Sequence, residues 1–180
     1  MRLNYPDNYT PNIYLGDDCE RYALGNDGKN VLFCISINPS VACDKYSDPT
    51  MNALVNISRK RGFDGCIMIN PAPYRTPKPA ELPATPDKCL KENIKIIRDL
   101  FSKHPSSTVL CAWGDFRKNG PKWFRKSLEE IMELAAEYGM KPIYIRKTRQ
   151  GEPTHLSYLN RDHALFDNGN GNYELNSFVW

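Results

Sequence analysis

Val31-Leu32-Phe33-Cys34-Ile35-Ser36-Ile37-Asn38-Pro39-Ser40 is the stretch that decides the fold. Its first seven residues form a nearly continuous apolar run rich in β-branched side chains. The length and composition favour a strand buried on both faces, as in a parallel sheet covered by helices. The run stops at Asn38-Pro39-Ser40, where polar and turn-forming residues replace apolar ones.

The same alternation continues along the chain. Asp48-Pro49 has an N-cap residue followed by proline at the first helical position, and Met51, Leu54, Val55 and Ile57 follow as a helical stripe. A second strand, Cys66-Ile67-Met68-Ile69, ends at Asn70-Pro71, and a proline-rich loop runs to Pro86. That loop is too long to be a mere connection. Thr85-Pro86 repeats the cap-plus-proline logic, ahead of an amphipathic helix carrying Leu90, Ile94, Ile97, Leu100 and Phe101. The third strand, Thr108 to Ala112, ends at Trp113-Gly114. Pro121 opens another helix, which ends at Gly139, and the fourth strand is Pro142 to Ile145.

Strand and helix in strict alternation predict right-handed crossovers. The expected fold is a three-layer α/β/α domain around a central, mostly parallel, four-stranded sheet. One domain spans residues 1–180. Residues 1–30 are an N-terminal extension packing on it, 31–160 the α/β core and 161–180 a C-terminal tail. Within 1–30, Ile13 to Leu24 has room for a short edge strand or hairpin, and Gly25 to Gly28 reads as a turn.

Composition narrows the class. Hydrophobic residues make up 41% and charged residues 25% of 180, enough for a real core and against disorder. The net charge of +3 does not by itself demand nucleic acid. No apolar run approaches a membrane span, and Met1 to Thr10 lacks the apolar centre of a signal peptide, so no membrane partner and a cytoplasmic location are expected. Cys19, Cys34, Cys43, Cys66, Cys89 and Cys111 include no Cys-x-x-Cys pair and read as reduced thiols. Neither a metal nor another cofactor is expected. Oligomeric state is not encoded in any feature of the sequence.

In an open α/β sheet, ligands bind beyond the carboxyl ends of the strands. Those ends carry Asn38-Pro39-Ser40, Asn70-Pro71, Trp113-Gly114 and, beyond the fourth, Gly151-Glu152-Pro153-Thr154-His155. With Arg21-Tyr22-Ala23-Leu24, Asp48-Pro49-Thr50 and Tyr158, this order of motifs resembles the domain-of-unknown-function 1643 family of bacterial and phage proteins. It is more distantly similar to the uracil-DNA glycosylase superfamily. There an Asn-Pro motif ends the first strand and positions water, a later Asn reads the flipped base, and a final His-x-Ser loop stabilises the departing base. The second resemblance implies an uracil-DNA-glycosylase-like fold and N-glycosidic bond hydrolysis on a nucleobase in DNA or a nucleotide. It implies Asn38 and His155 as catalytic, with Pro39, Ser40, Tyr46, Asn70, Trp113, Gly114 and Ser157 binding substrate. The partner is then a nucleic acid or nucleotide.

The residue types suit that chemistry. Breaking an N-glycosidic bond passes through an oxocarbenium-like sugar, so held water suffices as nucleophile. An Asn amide holds water but is a poor base, a second Asn donates and accepts on a base edge, and a His donates to the leaving base. Each residue also has an alternative reading. Asn38-Pro39-Ser40 and Asn70-Pro71 suit plain turns. Asp48 suits a helix cap and Asp44 a solvated charge, though either has the carboxylate that the motif lacks. Trp113 suits rim packing, and His104 and His163 the surface. Ser36-Ile37 stands where the glycosylases have glycine, and Leu156 where they have proline. Arg75, Lys78, Lys118, Lys122, Arg125, Lys126, Arg146, Lys147 and Arg149 suit either a phosphate-binding surface or a solvated face. A non-catalytic nucleotide or nucleic-acid binding module is the alternative to hydrolysis.

Overall fold

In the computed structural model, residues 1–86, 88–159 and 169–179 are described. The strands are β1 Ile13–Gly16, β2 Arg21–Asn26, β3 Val31–Ile35, β4 Gly65–Ile69, β5 Thr108–Cys111, β6 Lys141–Tyr144 and β7 Asn176–Ser177. The helices are α1 Pro49–Lys60, α2 Cys89–Lys103, the short α3 Phe116–Asn119, α4 Lys122–Glu137 and the short α5 Leu156–Leu159.

The sheet has seven strands, in the order β1-β2-β4-β3-β5-β6-β7, not four. The four expected from the apolar runs are its parallel centre: β3 pairs parallel with β4 and β5, and β5 with β6. The added strands pair antiparallel: β1 with β2, β2 with β4, and β7 with β6. The sheet is therefore mixed. Residues 1–30 do more than pack on the core, because β1 and β2 extend the sheet. The C-terminal tail adds β7 at the other edge; its residues 161–168, including His163, and residue 180 lie outside the described residues.

β3 is buried along its whole length, as its apolar character requires. Its alternate side chains enter two cores. Phe33 and Ile35 join Ile97, Phe101, Phe124 and Leu128 beneath α2 and α4. Leu32 and Cys34 join Met51, Leu54, Val55 and Ile57 of α1 and Leu156 of α5 on the opposite face. These are the three layers.

Local signals placed α1 and α4. Asp48 caps α1 by accepting the Met51 backbone N–H at 2.9 Å, with Pro49 in the first turn. Pro121 precedes α4, and Gly139 follows it at φ +66°, a conformation that glycine adopts without a Cβ penalty. Thr85-Pro86 does not cap α2, which starts later, at Cys89, without a side-chain cap. His104 is not a surface residue: it packs on Phe33 and pairs with Asp27 at 3.2 Å.

From β3 the chain crosses to β4 on one side, then returns past β3 to β5 on the other. That reversal opens a crevice at the carboxyl ends of β3 and β5.

Candidate functional site

A cavity of about 310 Å³ occupies that end of the sheet. Four of the residues expected at the site border it: Asn38, Ser40, His155 and Ser157. Arg21, Ser36, Asp48, Met68, Thr76 and Tyr158 border it as well. Pro39, Tyr46, Asn70, Trp113 and Gly114 do not line it.

His155 is the best-defined group. The Ser157 backbone N–H donates to its Nδ1 at 3.2 Å, and Ser157 Oγ lies 2.7 Å from the same atom. Nδ1 is therefore an acceptor, and the ring proton sits on Nε2. Nε2 lies 2.8 Å from Ser36 Oγ and donates to it. Burial holds the imidazole pKa down to about 4, although the nearby Asp48 charge acts in the opposite direction. The ring is neutral at pH 7, with its N–H aimed at Ser36. It cannot take the Ser36 proton in this tautomer, so the pair is not a nucleophile and its base. Ser36 keeps its own hydroxyl proton to offer to a second acceptor in the cavity.

The depressed pKa carries a stability prediction. The folded value lies below that of an unfolded histidine, so the contribution is complete above about pH 6.5 and is lost as pH falls toward 4. Unfolding measured at pH 7 and pH 4.5 should show a drop on the order of 2 kcal/mol attributable to His155, and His155→Gln should remove that part. Equal pH dependence in the two proteins contradicts it.

Asn38 has a structural task alongside any chemical one. Its Nδ2 donates to the carbonyls of Pro39 at 2.8 Å, Thr76 at 2.7 Å and Tyr74 at 3.3 Å. The Thr76 backbone N–H donates back to Pro39 at 2.9 Å. Asn38 thus fastens the proline-rich loop, whose Thr76, Pro77 and Pro79 form a wall of the cavity. With the amide nitrogen committed, only Oδ1 is left to receive a hydrogen bond from water or ligand. A carboxylate at this position would face three carbonyl oxygens with no N–H to give. Asn38→Asp should therefore destabilise the fold by about 1–3 kcal/mol. A thermal melt unchanged from the parent protein would contradict this.

Asp48 lies at the same cavity, buried, with Oδ1 used for the helix cap. Cap and carboxylate, set against each other by the sequence, coexist in one residue. Tyr158, 53% exposed and edge-on to His155 at 6.3 Å, is the aromatic ring of the cavity. Tyr46 lies elsewhere, stacked under the Arg2 guanidinium at 5.2 Å. Asn70 is buried beneath the site. Its Oδ1 accepts from Arg21 at 3.5 Å, and its backbone carbonyl accepts from Asn93 Nδ2 at 2.8 Å.

Trp113 and Gly114 support the His155 loop. Trp113 is fully buried and donates from Nε1 to Glu152 at 2.9 Å. Gly114 has φ +58°, donates to the Pro153 carbonyl at 2.8 Å, and a Cβ there would meet the His155 Cβ at 3.5 Å. An L-residue here would be strained by the left-handed backbone, although its Cβ would meet His155 only in ordinary contact.

A family model described as "Protein of unknown function (DUF1643)" matches residues 21–155. The chain belongs to that family. The matched span of this DUF1643 protein opens at Arg21 and closes at His155, two residues that border the cavity. No curated protein and no solved structure matches it.

Of the basic residues considered for phosphate binding, none borders the cavity. Arg75 is spent on Tyr14 Oη and the carbonyls of Asp17 and Val41, and Lys118 lies 3.8 Å from Glu152. Among the described residues of the DUF1643 chain, no helix is long and apolar enough to cross a membrane. Sequence reasoning missed Ser36 and Arg21. Ser36 was visible only as a departure from the glycosylase pattern. Tyr158 was visible in the closing motif but received no role.

Proposed function

We propose that the chain hydrolyses an N-glycosidic bond, releasing a nucleobase from a nucleotide or from DNA. One observation carries the reading: a single cavity gathers a carboxylate, a water-accepting amide oxygen and a neutral imidazole–hydroxyl pair. The likeness of the motif order to the uracil-DNA glycosylase superfamily supports it.

In this reading, water lies between Asp48 and Asn38 Oδ1. Its oxygen bonds to the sugar carbon as the carbon–nitrogen bond breaks, and its proton passes to Asp48. The bonding electrons leave with the base. Ser36 donates a hydrogen bond to the base and is itself polarised by His155 Nε2–H, so negative charge is stabilised without full proton transfer. Tyr158 stacks on the base from the open side. Asp48 supplies the base strength that an asparagine lacks.

The second reading is a binding module without hydrolysis. It is favoured by the structural tasks that Asp48 and Asn38 already perform. One assay separates the two. The protein is incubated with nucleosides, nucleotides and single- and double-stranded DNA carrying normal, deaminated and modified bases, and free base is measured by chromatography. Release from one class supports hydrolysis. Saturable binding with no release across the panel supports the binding module and overturns the first reading.

A further inference from the structure

Charge is unevenly placed along the chain. Residues 116–126 and 141–149 are rich in Lys and Arg and contain no Asp or Glu. The rest of the chain is net negative, although the whole carries +3. The fold brings the two basic segments together. Arg125 Nε donates to the Arg117 carbonyl at 3.3 Å, Lys118 Nζ donates to the Gln150 carbonyl, and Thr148 Oγ1 donates to Asp115 Oδ1 at 2.5 Å. One surface results, made of α3, the start of α4 and the loop that follows β6. Lys122, Arg125, Lys126, Arg146, Lys147 and Arg149 are exposed. Arg117 and Lys118 serve another purpose, each lying 3.8 Å from the buried carboxylate of Glu152.

Helix energetics do not account for this placement. Cations at the start of a helix oppose its macrodipole. α4 has no acid in its first turn and no base in its last, and its acids Glu129, Glu130, Glu133 and Glu137 lie further along. Among the described residues, no ion pair ties up Lys122, Arg125, Lys126, Lys147 or Arg149. Crowded like charges repel, and an external polyanion relieves them. The surface also runs into the candidate site. The Arg146 carbonyl accepts the Thr154 N–H at 2.8 Å and the Pro153 carbonyl accepts the Gly114 N–H at 2.8 Å, one and two residues before His155 at the cavity. None of these cations borders the cavity itself, so a nucleotide held there leaves them unused, whereas a strand continues past it. Resting on the proposed function, under which the cavity holds a nucleobase, we infer that the base arrives in a DNA strand whose phosphodiester backbone lies on this surface, not as a free nucleotide.

Fluorescence anisotropy on the full chain tests this, with a labelled single-stranded DNA of about 12 nucleotides titrated at several salt concentrations. Lys122→Gln, Lys126→Gln and Arg149→Gln together should weaken binding by about tenfold or more and flatten the slope of log affinity against log salt by about 2. Lys29→Gln, Lys95→Gln and Lys103→Gln together remove the same charge from other places and should change neither. All these side chains are exposed, and thermal melts check that both variants fold. Arg149→Gln alone, with a proportionally smaller loss, replaces the first variant if it does not fold. The inference is overturned if the DNA does not bind, if the two triple variants lose affinity equally, or if polyglutamate of equal charge competes as well as unlabelled DNA. Base released from free nucleotides without DNA binding removes this inference and leaves hydrolysis standing. DNA held on this surface without base release does the reverse.

Discussion

Under the proposed function, Asp48→Asn should lower the rate of base release by about 10²- to 10⁴-fold while keeping the cap of α1. The two halves of that expectation come from two different properties of one side chain. Asp48 Oδ1 accepts the Met51 N–H and starts α1. Asparagine caps a helix about as well as aspartate, so the start of α1 should survive the change, at the cost of the charge that faces the buried Arg21. An amide has no proton affinity to speak of, so under the proposed function a water between residues 48 and 38 would lose its base. Asp48→Ala then completes the comparison. It should show the same loss of rate and an added destabilisation of about 0.5–2 kcal/mol. If Asp48→Asn keeps full activity, the carboxylate belongs to the helix alone.

Trp113→Ala should be among the most damaging single substitutions to stability, costing about 3–5 kcal/mol. The ring is fully buried, meets Phe178 edge-on at 5.5 Å, and fills the core side of the turn that carries Gly114. Removing it also leaves Glu152 without the indole N–H. Glu152 then keeps only Arg117 and Lys118, each at 3.8 Å, among its charged neighbours. At 180 residues, a loss of this size lowers Tm by roughly 6–20 °C. Trp113→Phe keeps most of the packing and drops the hydrogen bond, so it should cost about 1–3 kcal/mol. A Trp113→Ala protein melting within 2 °C of its parent would show that the turn does not depend on this ring.

These two residues also show what the sequence made legible. Asp48-Pro49 announced its helix because capping is local: one side chain, one N–H three residues on, one proline with no N–H to waste. β3 was legible because burial on both faces leaves no polar positions. Asn38, Ser40, His155 and Ser157 were placed together by topology, since parallel strands send their carboxyl ends to one edge.

What stayed hidden depends on distant partners. The edge hairpin expected within Ile13 to Leu24 forms as β1 and β2, but its place in the sheet rests on β2 pairing with the distant β4. Asn176–Ser177 is too short to carry any period. Arg21 opens the Arg21-Tyr22-Ala23-Leu24 motif with no role assigned, and only the return of the loop through Ala42 and the position of Asn70 enclose it. Tyr46 was the stacking ring expected from the sequence, and Tyr158 stood in the closing motif without a role. Loop direction alone puts one beneath Arg2 and the other beside His155.

A crystal structure of the Asp48→Asn protein soaked with uridine and with inosine tests the account most directly. The account predicts a base in the cavity with an acceptor within hydrogen-bonding distance of Ser36 Oγ, its face against Tyr158, and the sugar carbon turned toward residues 38 and 48. A nucleoside bound elsewhere, or a cavity left empty by both at millimolar concentration, would contradict it.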